Sequence, residues 1–397
     1  MDFSLSDEQK MLQAGARRFC QDQLPALAAT LDAASEPVPH DWLHRYAELG
    51  CLGINADPRY GGLGLPLLDA LIVLEEFAQV SVAVGFPVFE CLTGPVRIVE
   101  RFGQPELKDK VIPRVVSGDL LVAISMSEPD AGSALTDLRT RARMEGGEIV
   151  LDGSKRWCSG AGHSGGYVVF CRFDGVQGAR GIGAVYVELG TPGLSFGPPE
   201  KLMGFRGVPS ADMHLDGVRV PASHILVGPG DFGKLMGVFN IERLGNATMS
   251  VGVAAGALAQ VTQYVQERKQ FGKPIADFQA VQLRLAEMAM KTDAARLLVH
   301  RAAANAGTGL PLQHEAAVAK CFANEITREV ATAAMQLMGG YGYAVEYGAE
   351  RRVRDSFGWG IAGGAIDVQK INIAAGMVGR RFDQRAGAVP TVSNNKS

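Results

Sequence analysis

Three stretches of different hydrophobic rhythm follow one another along the chain. Residues 1–120 carry apolar positions at helical spacing. Ser6-Asp7-Glu8 reads as a helix start, and Leu63–Pro66 leads into LLDALIVLEEFAQV (67–80), which has strong helical periodicity. ELKDKVIPRVVSG (106–118) is amphipathic and stops at Gly118. Near residue 121 the rhythm shortens. LLVAISM, GEIVLDGSKRWCSG, YVVFCRF, GIGAVYVEL, GLSFG and SADMHLDGVRVP are short β-type runs punctuated by Gly, Asp and Pro. After GPGDFG (228–233) long helical patterns return at 233–266, 277–306, 313–339 and 363–384.

This order predicts an α+β chain, mainly α. An N-terminal helical domain (1–120) precedes a middle antiparallel β domain (121–230), a C-terminal bundle of four helices (231–385) and a flexible tail (386–397). Alternating βαβ units are missing, which argues against a doubly wound nucleotide fold. GGYGY (339–343) looks like a dinucleotide loop but follows a helical pattern rather than a strand, so it fails that motif's context.

Bulk properties narrow the function classes. A chain of 397 residues is too long for one compact core. The formal net charge of −3, with no basic stripe, argues against nucleic acid as a partner. The six cysteines (Cys20, Cys51, Cys91, Cys158, Cys171, Cys321) show no disulfide or zinc spacing; no metal is expected, and the pattern fits a reducing cytoplasm. MDFSLSDEQK reads as a capped helix start rather than a signal peptide. No uninterrupted apolar run is expected to span a membrane; the longest candidate is the Gly/Ala-rich stretch 249–259.

The candidate chemistry concentrates in FNIERLGNATMSVGVAAGALAQVTQYVQERKQFGKPIADFQAVQ (239–282). Glu242 lies in a helix that is apolar or small nearly all round, so it is expected to be buried. It is either paired with Arg243 or another base, or it is a general base whose pKa burial raises. At the far end, Arg268 either complements the helix dipole or pairs with a pyrophosphate. Gln279, Gln282 and Gln336 are neutral amides able to recognise an adenine or a ribityl chain, or are plain surface residues. ISMSEPDAGSALTDL (124–138) is a turn-rich loop offering the Ser125, Ser127 and Ser133 hydroxyls. KRWCSG (155–160) sets Trp157 and Ser159 on alternate positions of a strand, either as a core Trp or as a wall against a flat ring. Phe86, Phe89 and Leu92 suggest an apolar pocket, and Glu90 beside them is expected to face solvent.

Taken in order, SEPDAGS, the KRWCS segment, Arg268-xx-Phe271-Gly272 with Phe278-Gln279-xx-Gln282, Gln336-xx-Gly339-Gly340 and Arg354-Asp355 resemble the acyl-CoA dehydrogenase family over about residues 1–385. The resemblance implies non-covalent FAD, a homotetramer, an acyl-CoA or carrier-protein-bound acyl thioester as substrate, and an electron-transfer flavoprotein or other electron acceptor. It also implies site roles. Met126 and Ser127 would contact the flavin ring, with Trp157 and Ser159 near its reactive edge. Ser133 would lie near the pantetheine or pyrophosphate. Arg268, Phe271 and Gln279 would reach the FAD of a neighbouring subunit, joined by Gln336 and Gly340. Asn240 and Arg243 would line the substrate channel.

One departure stands out. Family members most often carry their catalytic Glu in a Tyr-Glu-Gly-Thr segment shortly after Arg-Asp. Here the matching positions are Ala362-Gly363-Gly364-Ala365, without a carboxylate. A subgroup resembling isovaleryl- and long-chain acyl-CoA dehydrogenases places the base on the preceding helix instead, which makes Glu242 the expected base and leaves Gly363 to offer a backbone N–H. Val82 stands near the position where glutaryl-type relatives carry an Arg, which argues against a second carboxylate on the substrate. A flavin monooxygenase and a non-catalytic flavin or acyl-CoA binding protein of the same fold are the competing expectations.

Overall fold

The computed structural model describes residues 4–380 and 382. The expected tail at 386–397 lies outside the described residues. The chain starts with six helices: α1 (Asp7–Ala34), α2 (His40–Glu48), α3 (Leu67–Val80), α4 (Val82–Leu92), α5 (Val96–Phe102) and α6 (Pro105–Val116). Eight strands follow: β1 (Val122–Ser125), β2 (Arg141–Glu145), β3 (Glu148–Ser159), β4 (Gly166–Phe173), β5 (Ile182–Glu188), β6 (Leu194–Phe196), β7 (Ser210–Pro221) and β8 (Ile225–Val227). The rest is helical apart from one small hairpin: α7 (Phe232–Glu267), the hairpin β9–β10 (Lys269–Gln270 and Lys273–Pro274), α8 (Gln279–Ala306), α9 (Gln313–Met338), the short α10 (Gly340–Tyr343), α11 (Ala349–Gly358) and α12 (Ile366–Val378).

Local chemistry accounts for several boundaries. Ser6 and Gln9 form a reciprocal capping box that starts α1. α12 ends at Val378, short of the expected 384, where Gly379 takes a left-handed conformation. α4 shows no polar face because it is buried on all sides. The stretch of α4 and α5, Val82–Phe102, is the one among the described residues long and apolar enough to cross a membrane, and it is buried except at its last three residues. Glu90, Arg97, Glu100 and Arg101 interrupt it, so it is not an uninterrupted apolar run.

The sheet runs β6-β7-β3-β2-β4-β5-β8. Most ladders are antiparallel, as the short alternating runs suggest. Two are parallel: β1 pairs with the first half of β4, and β2 with its end. Alternation marks a strand but not its partner's direction. All eight residues of β4 are buried. Tyr167, Val169 and Cys171 fill a core within the sheet domain, while Val168 and Phe170 join the core shared with the helices. The sheet is therefore covered on both faces along β4.

α7 is the central element of the helical core. It holds 36 residues, about 54 Å of helix. Small residues on it admit its neighbours closely: a Cβ on Gly252 would collide with Ala78 of α3, and one on Gly245 with Thr93 and Phe89. A loop of the sheet domain docks on the bundle through Asp355, whose Oδ1 accepts the Phe205 N–H at 2.7 Å. Phe205, held at φ +57°, packs 4.8 Å from the ring of Trp359.

Candidate active site

Glu242 on α7 and Gly363 in the turn between α11 and α12 face each other. Gly363 has φ +66°, and a Cβ on it would lie 2.9 Å from both carboxylate oxygens of Glu242. The turn is fixed from below. Lys320 Nζ of α9 donates to the carbonyls of Trp359 (3.0 Å) and Ala362 (2.9 Å), and Asn246 Nδ2 donates to the same two at 3.2 and 3.3 Å. The Gly363 N–H donates no hydrogen bond among the described residues.

Glu242 is 9% exposed, and its Oε2 is buried with no hydrogen-bond partner among the described residues. The ion pair with Arg243 does not form. Adjacent helical residues point in different directions, and Arg243 Nη1 donates to Asn240 Oδ1 at 2.6 Å, its guanidinium lying 5.4 Å from the Phe239 ring centroid. Asn240 Nδ2 donates in turn to the Pro311 carbonyl. Burial pushes the Glu242 pKa up to about 7, against the opposing pull of Lys320 and Arg243. Burial lowers that of Lys320.

The sheet contributes a second wall. Trp157 does not sit in regular alternation with Ser159. The β3–β7 register slips between Lys155 and Cys158, and Trp157 falls in that bulge at φ +62°. A bulge re-aims its side chain, and a bulky residue in the left-handed region marks strain held in place by its surroundings. The ring is 53% exposed, with the Arg156 guanidinium carbon 4.2 Å from its centroid. Met126 and Ser127 are half-buried beside it. The Met126 carbonyl accepts from Lys155 Nζ (3.1 Å) and the Ser127 carbonyl from the Arg156 N–H (3.0 Å). A strained, exposed aromatic plane flanked by half-buried polar groups fits one face of a flavin ring. Ser133 is exposed on the loop after β1.

A third group lies far away. Arg268 caps α7, 26 residues beyond Glu242 or about 39 Å along the helix. Its guanidinium carbon is 5.5 Å from the Tyr341 ring centroid, and it lines an open cavity of about 670 Å³ with Gly340. Phe271 is 93% exposed at the tip of the β9–β10 hairpin, where it and Gly272 take φ +53° and +81°. Gln279 is exposed, and Gln336 lines a separate hollow between α8 and α9. Within one chain, these five residues do not meet Glu242 or Trp157.

Sequence reasoning missed Lys320, Asn246 and Trp359. The available signal was the isolated Lys of AAVAKCFANE, a charge in the middle of small apolar helical residues. Glu90, expected to face solvent, is 4% exposed on α4, and its Oε2 lacks a hydrogen-bond partner. Its helix is surrounded on every side, so no exposed face exists for it to occupy.

Comparison with known proteins places this arrangement. The chain matches the N-terminal domain of acyl-CoA dehydrogenases over residues 6–119, the middle domain over 123–218 and the C-terminal domain over 232–378. It is 37% identical over 377 residues to acryloyl-CoA reductase (NADH) of Anaerotignum propionicum, covering 94% of this chain and 95% of that one. A chain solved in work on the electron transferring flavoprotein of Acidaminococcus fermentans superposes with a TM-score of 0.91 at 34% identity, covering 95% of this chain and all of that one. The structure of PigA with FAD and proline superposes with a TM-score of 0.90 at 26% identity, covering 95% and 99%. With all three domains matched in order, the chain belongs to the acyl-CoA dehydrogenase family of FAD-dependent oxidoreductases.

Proposed function

We propose that the protein desaturates an acyl-CoA thioester between Cα and Cβ, with Glu242 as the base that removes the α-proton. The observation carrying this reading is the Glu242 carboxylate: buried, without a hydrogen-bond partner on Oε2, and turned toward a residue that has no side chain. A pKa raised to about 7 suits a base working near neutrality.

An α-C–H beside a thioester is only weakly acidic, so the developing enolate oxygen needs hydrogen-bond donors. The free N–H of Gly363 supplies one, on a turn that Lys320 and Asn246 hold still. Bound FAD supplies the acceptor for the hydride that leaves Cβ. Met126, Ser127, Trp157 and Ser159 hold the flavin ring, and Asn240 and Arg243 line the way for substrate. Ser133 lies toward the pantetheine or pyrophosphate.

Arg268, Phe271, Gln279, Gln336 and Gly340 serve a FAD held by a neighbouring subunit. The distance of about 39 Å from Glu242 supports this, because one chain cannot bring both ends of α7 to one cofactor. Such sharing needs at least two chains, the proposed assembly is a homotetramer, and an electron-transfer flavoprotein is the proposed acceptor of the electrons.

Glu242→Gln tests the reading. The variant is expected to keep bound FAD and to lose anaerobic flavin bleaching by any acyl-CoA. Bleaching at the native rate would remove Glu242 from the reaction.

A further inference from the structure

Among the buried acids that the mechanism leaves unused, Glu90 has a side-chain oxygen without a hydrogen-bond partner among the described residues. Glu90 sits one helical turn after Phe86 on the same side of α4, and that side meets Trp359: the Phe86 and Phe89 rings lie 6.5 and 5.0 Å from it. Trp359 opens the turn that ends at Gly363. The Glu90 carboxyl is within electrostatic reach of both Glu242 and the thiol of Cys158, the residue between Trp157 and Ser159. Phe89 and Thr93 close around Gly245, about one turn along α7 from Glu242, so this end of α4 packs beside the base. The Glu90 carboxyl makes no hydrogen bond among the described residues, and its Oε2 is fully buried.

A buried polar group without a partner costs the folded protein stability, so its retention calls for a ligand that completes it. Burial first, and then Glu242, push the Glu90 pKa well above the ordinary carboxylate range. The group is a neutral acid, able both to donate and to accept. A cationic ligand would add a positive charge beside Arg243 and Lys320, and an anionic one would confront Glu242. An uncharged polar group meets neither obstacle.

We propose that Glu90 is a specificity-determining residue that selects acyl thioesters carrying an uncharged hydrogen-bonding group, a hydroxyl in the simplest case, on the chain beyond Cβ. This rests on the acyl-thioester reading above.

Matched CoA thioesters of four to six carbons, ending in methyl, hydroxyl, ammonium or carboxylate, test it on the FAD-loaded protein. Equilibrium dialysis reads affinity without requiring turnover, and anaerobic bleaching reads the reaction. At one or more chain lengths the hydroxylated thioester is expected to bind about tenfold more tightly than its methyl counterpart, the worth of one hydrogen bond to an otherwise unpaired buried group. Glu90→Leu should abolish that preference and raise the melting temperature, whereas a merely structural carboxyl would lower it on removal. Glu90→Gln, which still donates and accepts, should keep most of the preference. Equal binding of the hydroxyl and methyl forms at every length, or tighter binding of an ammonium or carboxylate form, overturns the proposal. If the affinity order holds but no thioester bleaches the flavin, the dehydrogenase reading fails and the selectivity stands. If bleaching occurs with the methyl forms preferred, only the selectivity fails.

Discussion

Glu242 and Gly363 compete for one space: a Cβ on the glycine would lie 2.9 Å from both oxygens of the carboxylate. A side chain at 363 and a carboxylate from 242 are thus mutually exclusive solutions to filling the same point of the site. Gly363→Ala is expected to push Glu242 aside. Displacing a reacting group by about 1 Å costs on the order of 10²-fold in rate, so stopped-flow bleaching should slow toward that extent while FAD stays bound. The left-handed backbone at 363 adds about 1–2 kcal/mol of strain, visible as a lowered melting temperature.

The raised pKa of Glu242 predicts a pH-dependent stability difference. In the unfolded chain the carboxyl titrates near 4.5, in the folded protein near 7. Between those values the folded state holds more protons than the unfolded one, so stability falls as pH rises through that window. Glu242→Gln stays neutral and escapes the loss. Its melting temperature relative to the native protein should climb from pH 4.5 to pH 7 and then level off, the full effect being at most about 3 kcal/mol. A constant gap across pH would show that Glu242 titrates as an ordinary carboxyl.

Lys320 acts on the base through charge and through the turn it holds. Replacing it by Met removes the larger of the two influences that keep the Glu242 pKa from rising further. The acidic limb of the kcat/KM profile, where activity falls as the base becomes protonated, should therefore move to higher pH. A loss of activity with the limb unmoved would leave Lys320 only its structural bonds to Trp359 and Ala362.

The separation of Arg268 from Glu242 predicts complementation between chains. Glu242→Gln and Arg268→Ala should each be inactive alone, the second through weaker FAD retention. Dissociating and reassembling the two together should restore activity, because some sites then combine an intact Glu242 with a neighbour's intact Arg268. Failure to restore any activity, with mixed oligomers present by native mass spectrometry, would place both residues' work in one chain.

Much of the fold was legible because the period of the apolar pattern changes twice. The strand Ser210–Pro221 matches its expected span, and α7, α8 and α9 start and end within two residues of theirs. α4 was illegible: a helix buried all round has no polar face, and its composition alone even resembles a membrane span. The bulge at Trp157 was invisible for a different reason. It arises from a register slip against β7, a partner more than 50 residues away, and nothing local in KRWCSG announces it.

By itself, the sequence determined which groups could do chemistry: the absence of a carboxylate in AGGA, and a lone Glu in an apolar helix. Tertiary structure decided what those groups do. It placed Glu242 opposite Gly363 rather than in an ion pair with Arg243, brought Lys320 beneath the same turn from α9, and turned Glu90 inward where an exposed acid was expected. The reason is that a carboxyl's role depends on desolvation and on the charges around it, and both are set by which helices pack together.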